Sequence, residues 1–189
     1  MDATRDEQVV DVTRRWIDAA VIGLNLCPFA PPVVAAHRVR FRVSHATDLE
    51  ALGVDLVEEL RLLAAVEPRT VETTLLIHPW VLSDFLAFND FLAVADALVD
   101  ELGMRGEVQL ASFHPDYRFA GTRAEDPGNC TNRSPFPILH LLREASIEGA
   151  VAAIADPSAI YQRNIETMQR LGAEGWERLR ARFATDFSR

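Results

Sequence analysis

From His37 to Phe113 the sequence switches repeatedly between two hydrophobic periods, and this limits the folds open to it. In His37–Ser44, Val39, Phe41 and Val43 fall on one side and Arg38, Arg40 and Arg42 on the other. That is the pattern of a half-buried strand. Asp48–Ala65 returns to helical spacing through Leu49, Leu52, Leu56, Leu60 and Leu63. Val71–Ile77 is rich in β-branched residues and reads as a second strand. The next helix, with Ser83 as cap, carries Phe85, Phe88, Leu92, Ala95, Val99 and Leu102, and Gly103 stands where a helix end favours left-handed backbone. Glu107–Phe113 reads as a third strand. Strands separated by helices of about a dozen residues favour parallel pairing through right-handed crossovers.

The flanks are helical or irregular. Val9, Val12, Trp16, Ile17, Ala20, Val21 and Leu24 predict an amphipathic helix over Asp6–Leu24, and Pro28, Pro31 and Pro32 end any helix there. His114–Pro137 shows no period. Ile138–Ala145, Ile147–Ala155 and Ser158 to about Phe183 read as helices. Asp156 is the candidate cap and Pro157 the first helical residue of the last one, which Gly172 and Gly175 divide. The expected architecture is α/β: a small, mainly parallel three-stranded sheet covered by helices, with a helical C-terminal third. The alternative is α+β, because the arginine side of the first strand suggests an exposed edge. A length of 189 residues suits one domain, residues 1–189.

Composition narrows the chemistry. Hydrophobic residues at 49% rule out disorder. A net charge of -9 argues against nucleic-acid binding, which needs clustered positive charge. Every basic residue is arginine, so a lysine Schiff base and a P-loop lysine are excluded. The longest weakly polar stretch, Ala19–Ala36, contains Asn25, Pro28, Pro31 and Pro32 and is a poor membrane span. The charged N-terminus lacks an apolar signal core, so a cytoplasmic location is expected. In that setting Cys27 and Cys130 stay reduced and form no structural disulfide.

Two predicted strands end alike, in Ile77-His78-Pro79 and Phe113-His114-Pro115. Ligands of open parallel sheets bind beyond the carboxyl ends of the strands, which makes His78 and His114 the candidate catalytic residues, facing a shared cavity. The alternative is that both imidazoles only hydrogen-bond at strand ends. The unpatterned segment after His114 is long enough to suggest a ligand-covering role. Its Arg118, Arg123 and Arg133 suit a small anionic ligand, a carboxylate or phosphate; otherwise they are surface arginines on a packed loop. Cys27, His78, His114, Cys130 and His140 could together supply a zinc site, with His114 the leading metal ligand, but no pair has short zinc-ligand spacing. His140, flanked by apolar residues, reads as a helix-packing residue. Arg38, Arg40 and Arg42 read as a solvated strand face, Glu58, Glu59 and Asp84 as helix-surface charges, and Trp16, Trp80 and Trp176 as core aromatics.

Asn25-Leu26-Cys27-Pro28-Phe29-Ala30, the run from Ser112 to Phe119 and the run from Asn132 to Pro137 resemble the bacterial family catalogued as domain of unknown function 1415, over nearly the whole chain. That resemblance implies no established activity. Cys27-Pro28-Phe29 and Arg133–Leu139 are also similar to segments of small heme-dependent oxygenases that hydroxylate amino-acid-like substrates. This second resemblance implies a heme cofactor and a small polar metabolite as substrate. His114 would be the axial ligand and Cys27 the alternative thiolate, with Arg118, Arg123 and Arg133 near the propionates or the substrate. Two other readings stand beside it. One is a zinc- or iron-dependent enzyme using His78, His114 and Cys130. The other is a non-enzymatic small-ligand-binding module.

Overall fold

The computed structural model describes residues 3–152 and 158–183. Helix α1 (Ala3–Trp16) runs on through a π-helical turn, Ile17–Ile22. It buries Val9, Val12, Trp16 and Ile17, the stripe that the sequence periodicity marks. Pro31 and Pro32 do not stop a helix; they occupy the first turn of a short one, α2 (Ala30–Ala35), where a missing N–H has no partner to lose.

Strand β1 (Val39–Val43), helix α3 (Leu49–Ala65), strand β2 (Thr73–Ile77), helix α4 (Phe85–Glu101) and strand β3 (Val108–Phe113) follow in the expected order. Asp48 caps α3 through the Ala51 N–H at 2.8 Å. Asp84, not Ser83, caps α4 through the Ala87 N–H at 2.9 Å. After a segment containing one short 3₁₀ turn (Pro127–Asn132) comes strand β4 (Ile138–Arg143), then α5 (Glu144–Ala152) and α6 (Ser158–Phe183). The expected cap at Asp156 and Pro157 lies outside the described residues. Gly172, at φ 65°, breaks α6; Gly175 does not.

Two expectations change here. The sheet has four strands, and Ile138–Arg143 is the fourth rather than a helix. The sheet is also mixed. Its order is β1-β2-β4-β3, with β1 and β2 parallel and β4 antiparallel to both β2 and β3. The three predicted strands do point the same way, but β4 is wedged between β2 and β3. It pairs Leu75 with His140 on one side and Ala111 with His140 on the other. A strand covered on both faces loses alternation, which is why Ile-Leu-His-Leu-Leu does not announce itself as one.

Side chains alternate between two cores. Leu76, Leu139 and Leu141 face α3 and α4, meeting Leu52, Leu56, Leu60, Leu63, Phe88 and Ala95. Leu75, Ile77 and Ile138 face α1 and α6, meeting Val9, Trp16, Met168, Trp176 and Phe183. β1 is an edge strand, and its arginine side is half-buried in ion pairs rather than open to solvent. Arg40 holds Glu59 of α3 through Nε at 2.7 Å and Nη2 at 2.9 Å, and Glu59 is buried. Arg38 pairs with Glu72, and Arg42 reaches Asp55. Glu59 is thus a buried partner for the strand, not a helix-surface charge. Among the described residues, no helix is long and apolar enough to cross a membrane.

Candidate functional site

Because β1, β2 and β3 run the same way, their carboxyl ends share one edge of the sheet, and each is followed within two residues by a histidine: His45, His78 and His114. His78 and His114 point into the α3/α4 core and are fully buried. The Phe88 ring lies against both, at centroid distances of 5.7 and 5.1 Å. His78 Nδ1–H donates to the Val81 carbonyl at 3.1 Å. His114 Nδ1 accepts the Asp116 backbone N–H at 3.0 Å, so its proton lies on Nε2, which donates to the Leu82 carbonyl at 3.1 Å. Two imidazoles therefore grip consecutive carbonyls of one turn. Leu82 takes left-handed backbone there, at φ 59°, a conformation a leucine adopts only when its surroundings impose it.

Burial pushes the His78 pKa down to about 4, and His78 Nε2 has no hydrogen-bond partner among the described residues. His140 is likewise held near 4 by burial. It lies in a strand rather than on a packing helix, and its Nε2–H donates to Thr73 Oγ1 at 2.7 Å, whose hydroxyl in turn donates to the Leu141 carbonyl at 2.6 Å.

The cavity lies on the other side of this edge. It measures about 530 Å³, between the 115–137 segment and the second half of α6. Val12, Phe136, Trp176 and Phe183 form an apolar wall, and Ser83, Asp116, Arg133, Glu177 and Arg180 supply polar groups. The two His-Pro pairs meet it through Pro79 and Pro115, with the imidazoles turned away beneath. The edge shared by His78 and His114 is as expected, but neither ring lines this cavity.

Of the three loop arginines, Arg118 and Arg123 are exposed, and only Arg133 lines the cavity. Its Nη2 donates to the Ala124 carbonyl at 2.8 Å and its Nε to the Tyr117 carbonyl at 3.4 Å. Its own carbonyl accepts the Trp16 indole N–H at 2.9 Å. The segment is packed from within as well. Buried Asn129 accepts from the Phe119 N–H and the Thr122 hydroxyl and donates to the Arg123 carbonyl. A second cavity of about 320 Å³ backs onto the first, sharing Arg133, Trp176 and Glu177, with Cys130 in its wall. Burial raises the Cys130 pKa, against the pull of Arg133.

Cys27 is half-buried in the turn before α2 and lines neither cavity. Both cysteines are free thiols. Among the described residues, no three His, Cys, Asp or Glu side chains group to hold a metal ion. His114 does not suit the axial position of a heme: both ring nitrogens are committed, and reaching iron would mean breaking the Leu82 or the Asp116 bond.

The sequence reading passed over His45. Its Nε2 is 3.0 Å from Asp6 Oδ2, and its ring stacks on Trp80 at 5.0 Å. Trp80 thus packs on the rim of the α1/α6 core as a half-buried aromatic and also holds the start of α1, with Arg5 over its ring as well. The signal was available, since Ser44-His45 follows the first strand much as His78 and His114 follow the other two.

The profile of the family described as "Protein of unknown function (DUF1415)" matches residues 8–178. No curated protein and no solved structure matches the chain.

Proposed function

We propose that this chain, which belongs to the protein family of unknown function DUF1415, binds a small amphipathic anion in the 530 Å³ cavity. The supporting observation is the cavity's division of labour. Val12, Phe136, Trp176 and Phe183 offer a buried apolar wall, while Arg133 and Arg180 stand where a carboxylate or phosphate would meet them. The volume lies within the range of small-molecule sites, and the surface it exposes is more polar than apolar, which suits a charged ligand. Arg133 is preorganised by two backbone carbonyls, so little side-chain freedom is lost when an anion docks. This is a binding reading: no nucleophile–base pair lines the cavity among the described residues.

The probe is 3-phenylpropionate, followed by titration calorimetry. Saturable one-to-one binding is expected, with a dissociation constant in the range of about 10 µM to 1 mM. Arg180→Ala should weaken it about fivefold with an unchanged melting temperature, because Arg180 is exposed and, among the described residues, pairs with neighbouring Glu177. No saturation by 3-phenylpropionate or phenyl phosphate at about 10 mM would overturn the reading.

A further inference from the structure

We propose that Asp116 and Ser83 are the specificity-determining pair of this cavity, reading a cationic hydrogen-bond donor on the same ligand, and that His114 is the positioning residue that holds both. The inference rests on the binding reading above.

Asp116 and Ser83 come from different segments, the chain after β3 and the chain before α4, and both line the cavity. One buried side chain links the two segments. His114 Nδ1 accepts the backbone N–H of Asp116, and its Nε2–H grips the carbonyl of Leu82, the residue before Ser83. Leu82 sits at φ 59°, so the direction in which the chain enters Ser83 is imposed and not a relaxed preference. His78 supports the same turn from beneath through Val81. The imidazoles at these strand ends thus serve the cavity without touching its contents.

What they position is one-sided. The Asp116 carboxylate only accepts and the Ser83 hydroxyl can accept, whereas Arg133 and Arg180 across the cavity supply donors, with Glu177 there already paired to Arg180. A ligand with an anionic end alone would leave Asp116 facing its own charge sign. A ligand that also carries an ammonium group satisfies both sets.

A matched pair of probes isolates this. L-Phenylalanine is 3-phenylpropionate with one added ammonium group. In the unaltered protein, L-phenylalanine should bind about fivefold more tightly, the size expected of a partly solvated charge-assisted contact. Asp116→Asn should bring the ratio to about one while 3-phenylpropionate binds as before. His114→Asn keeps an acceptor for the Asp116 N–H but is too short to reach Leu82, so it should also reduce the ratio. Adding Leu82→Gly to it removes the backbone constraint that the lost bond opposed, and should restore the melting temperature but not the ratio. A merely structural histidine would give the opposite result, with the ratio unmoved in every folded His114 variant. Equal binding of the two probes by the unaltered protein, or a preference that survives Asp116→Asn, overturns the inference and leaves the binding reading intact. Failure of both probes to bind removes this inference, and failure of phenyl phosphate as well removes the binding reading with it.

Discussion

The two faces of the sheet are built on different plans. Against α3 and α4 the apolar core is regular, with leucines from one helix interleaved with phenylalanines and alanines from the other. Against α1 and α6 it contains tryptophans, methionine and a cysteine, and beside it lie two cavities walled by a long irregular segment. The difference teaches where chemistry has room. The regular face is closed by periodic helices that fill space efficiently. The other is closed by a segment whose shape depends on individual bonds, such as those of Asn129 and Arg133, and it leaves space a ligand can use.

The comparison breaks most easily in the cores. Leu60 is fully buried between α3 and the sheet, and Leu60→Ala should cost about 3 kcal/mol. Val12 lines the larger cavity, and Val12→Ala should cost only about 1 kcal/mol, because space already exists beside it. Urea unfolding of the two variants measures the contrast, and equal losses per carbon removed, three for Leu60→Ala and two for Val12→Ala, would mean that the faces are packed alike.

A second, similarly large effect comes from pH. One histidine with a depressed pKa lies on each face: His78 toward α4, and His140 toward Phe113 and α1. Both are near 4 when folded against 6.5 in the free side chain. Between those values the unfolded chain binds protons that the folded chain refuses. The part of the stability these two histidines carry should therefore be level above about pH 6.5, fall as the pH drops through that window, and level again below about 4, losing up to about 3 kcal/mol for the fully buried His78. His140 is partly exposed and should contribute less. Unfolding curves at neutral pH and at about pH 5 for His78→Asn and His140→Gln would separate the shares; a pH response unchanged in both variants would contradict the assignment.

The smallest effect is expected at the exposed arginines of the irregular segment. Arg118→Ala and Arg123→Ala should each change stability by under about 0.5 kcal/mol and leave probe binding untouched. A binding loss at either would move the anion site out of the cavity.

Legibility in the sequence followed the same division. α1, α3, α4 and β1 were readable because a single buried face imprints its period on the residues; β2, buried on both faces, was readable instead from its β-branched residues. β4 was not, because both of its faces are covered, and its apolar run is equally good as helix or strand. Glu59 looked solvated beside Glu58; only the approach of Arg40 from a strand distant in sequence makes it a buried partner. The same limit applied at the strand ends. The His-Pro motif located the right edge, but a sequence does not say to which side of an edge a ring turns, and His78 and His114 turned inward.

The position of β4 also sets an order of events. β2 and β3 never touch; the ladder between them exists only once residues 138–143 lie in the gap. On a ribosome, a chain that has emerged as far as Phe113 can pair β1 with β2, but it leaves β3 without a partner and β2 with an open edge. Completion waits for residues 138–143 to bridge the open edge of β2 and the still unpaired β3, a closure whose entropy is lost before its hydrogen bonds form. This chain should therefore fold late and as a whole, with β3 and the segment after it the last region to acquire protection from hydrogen exchange.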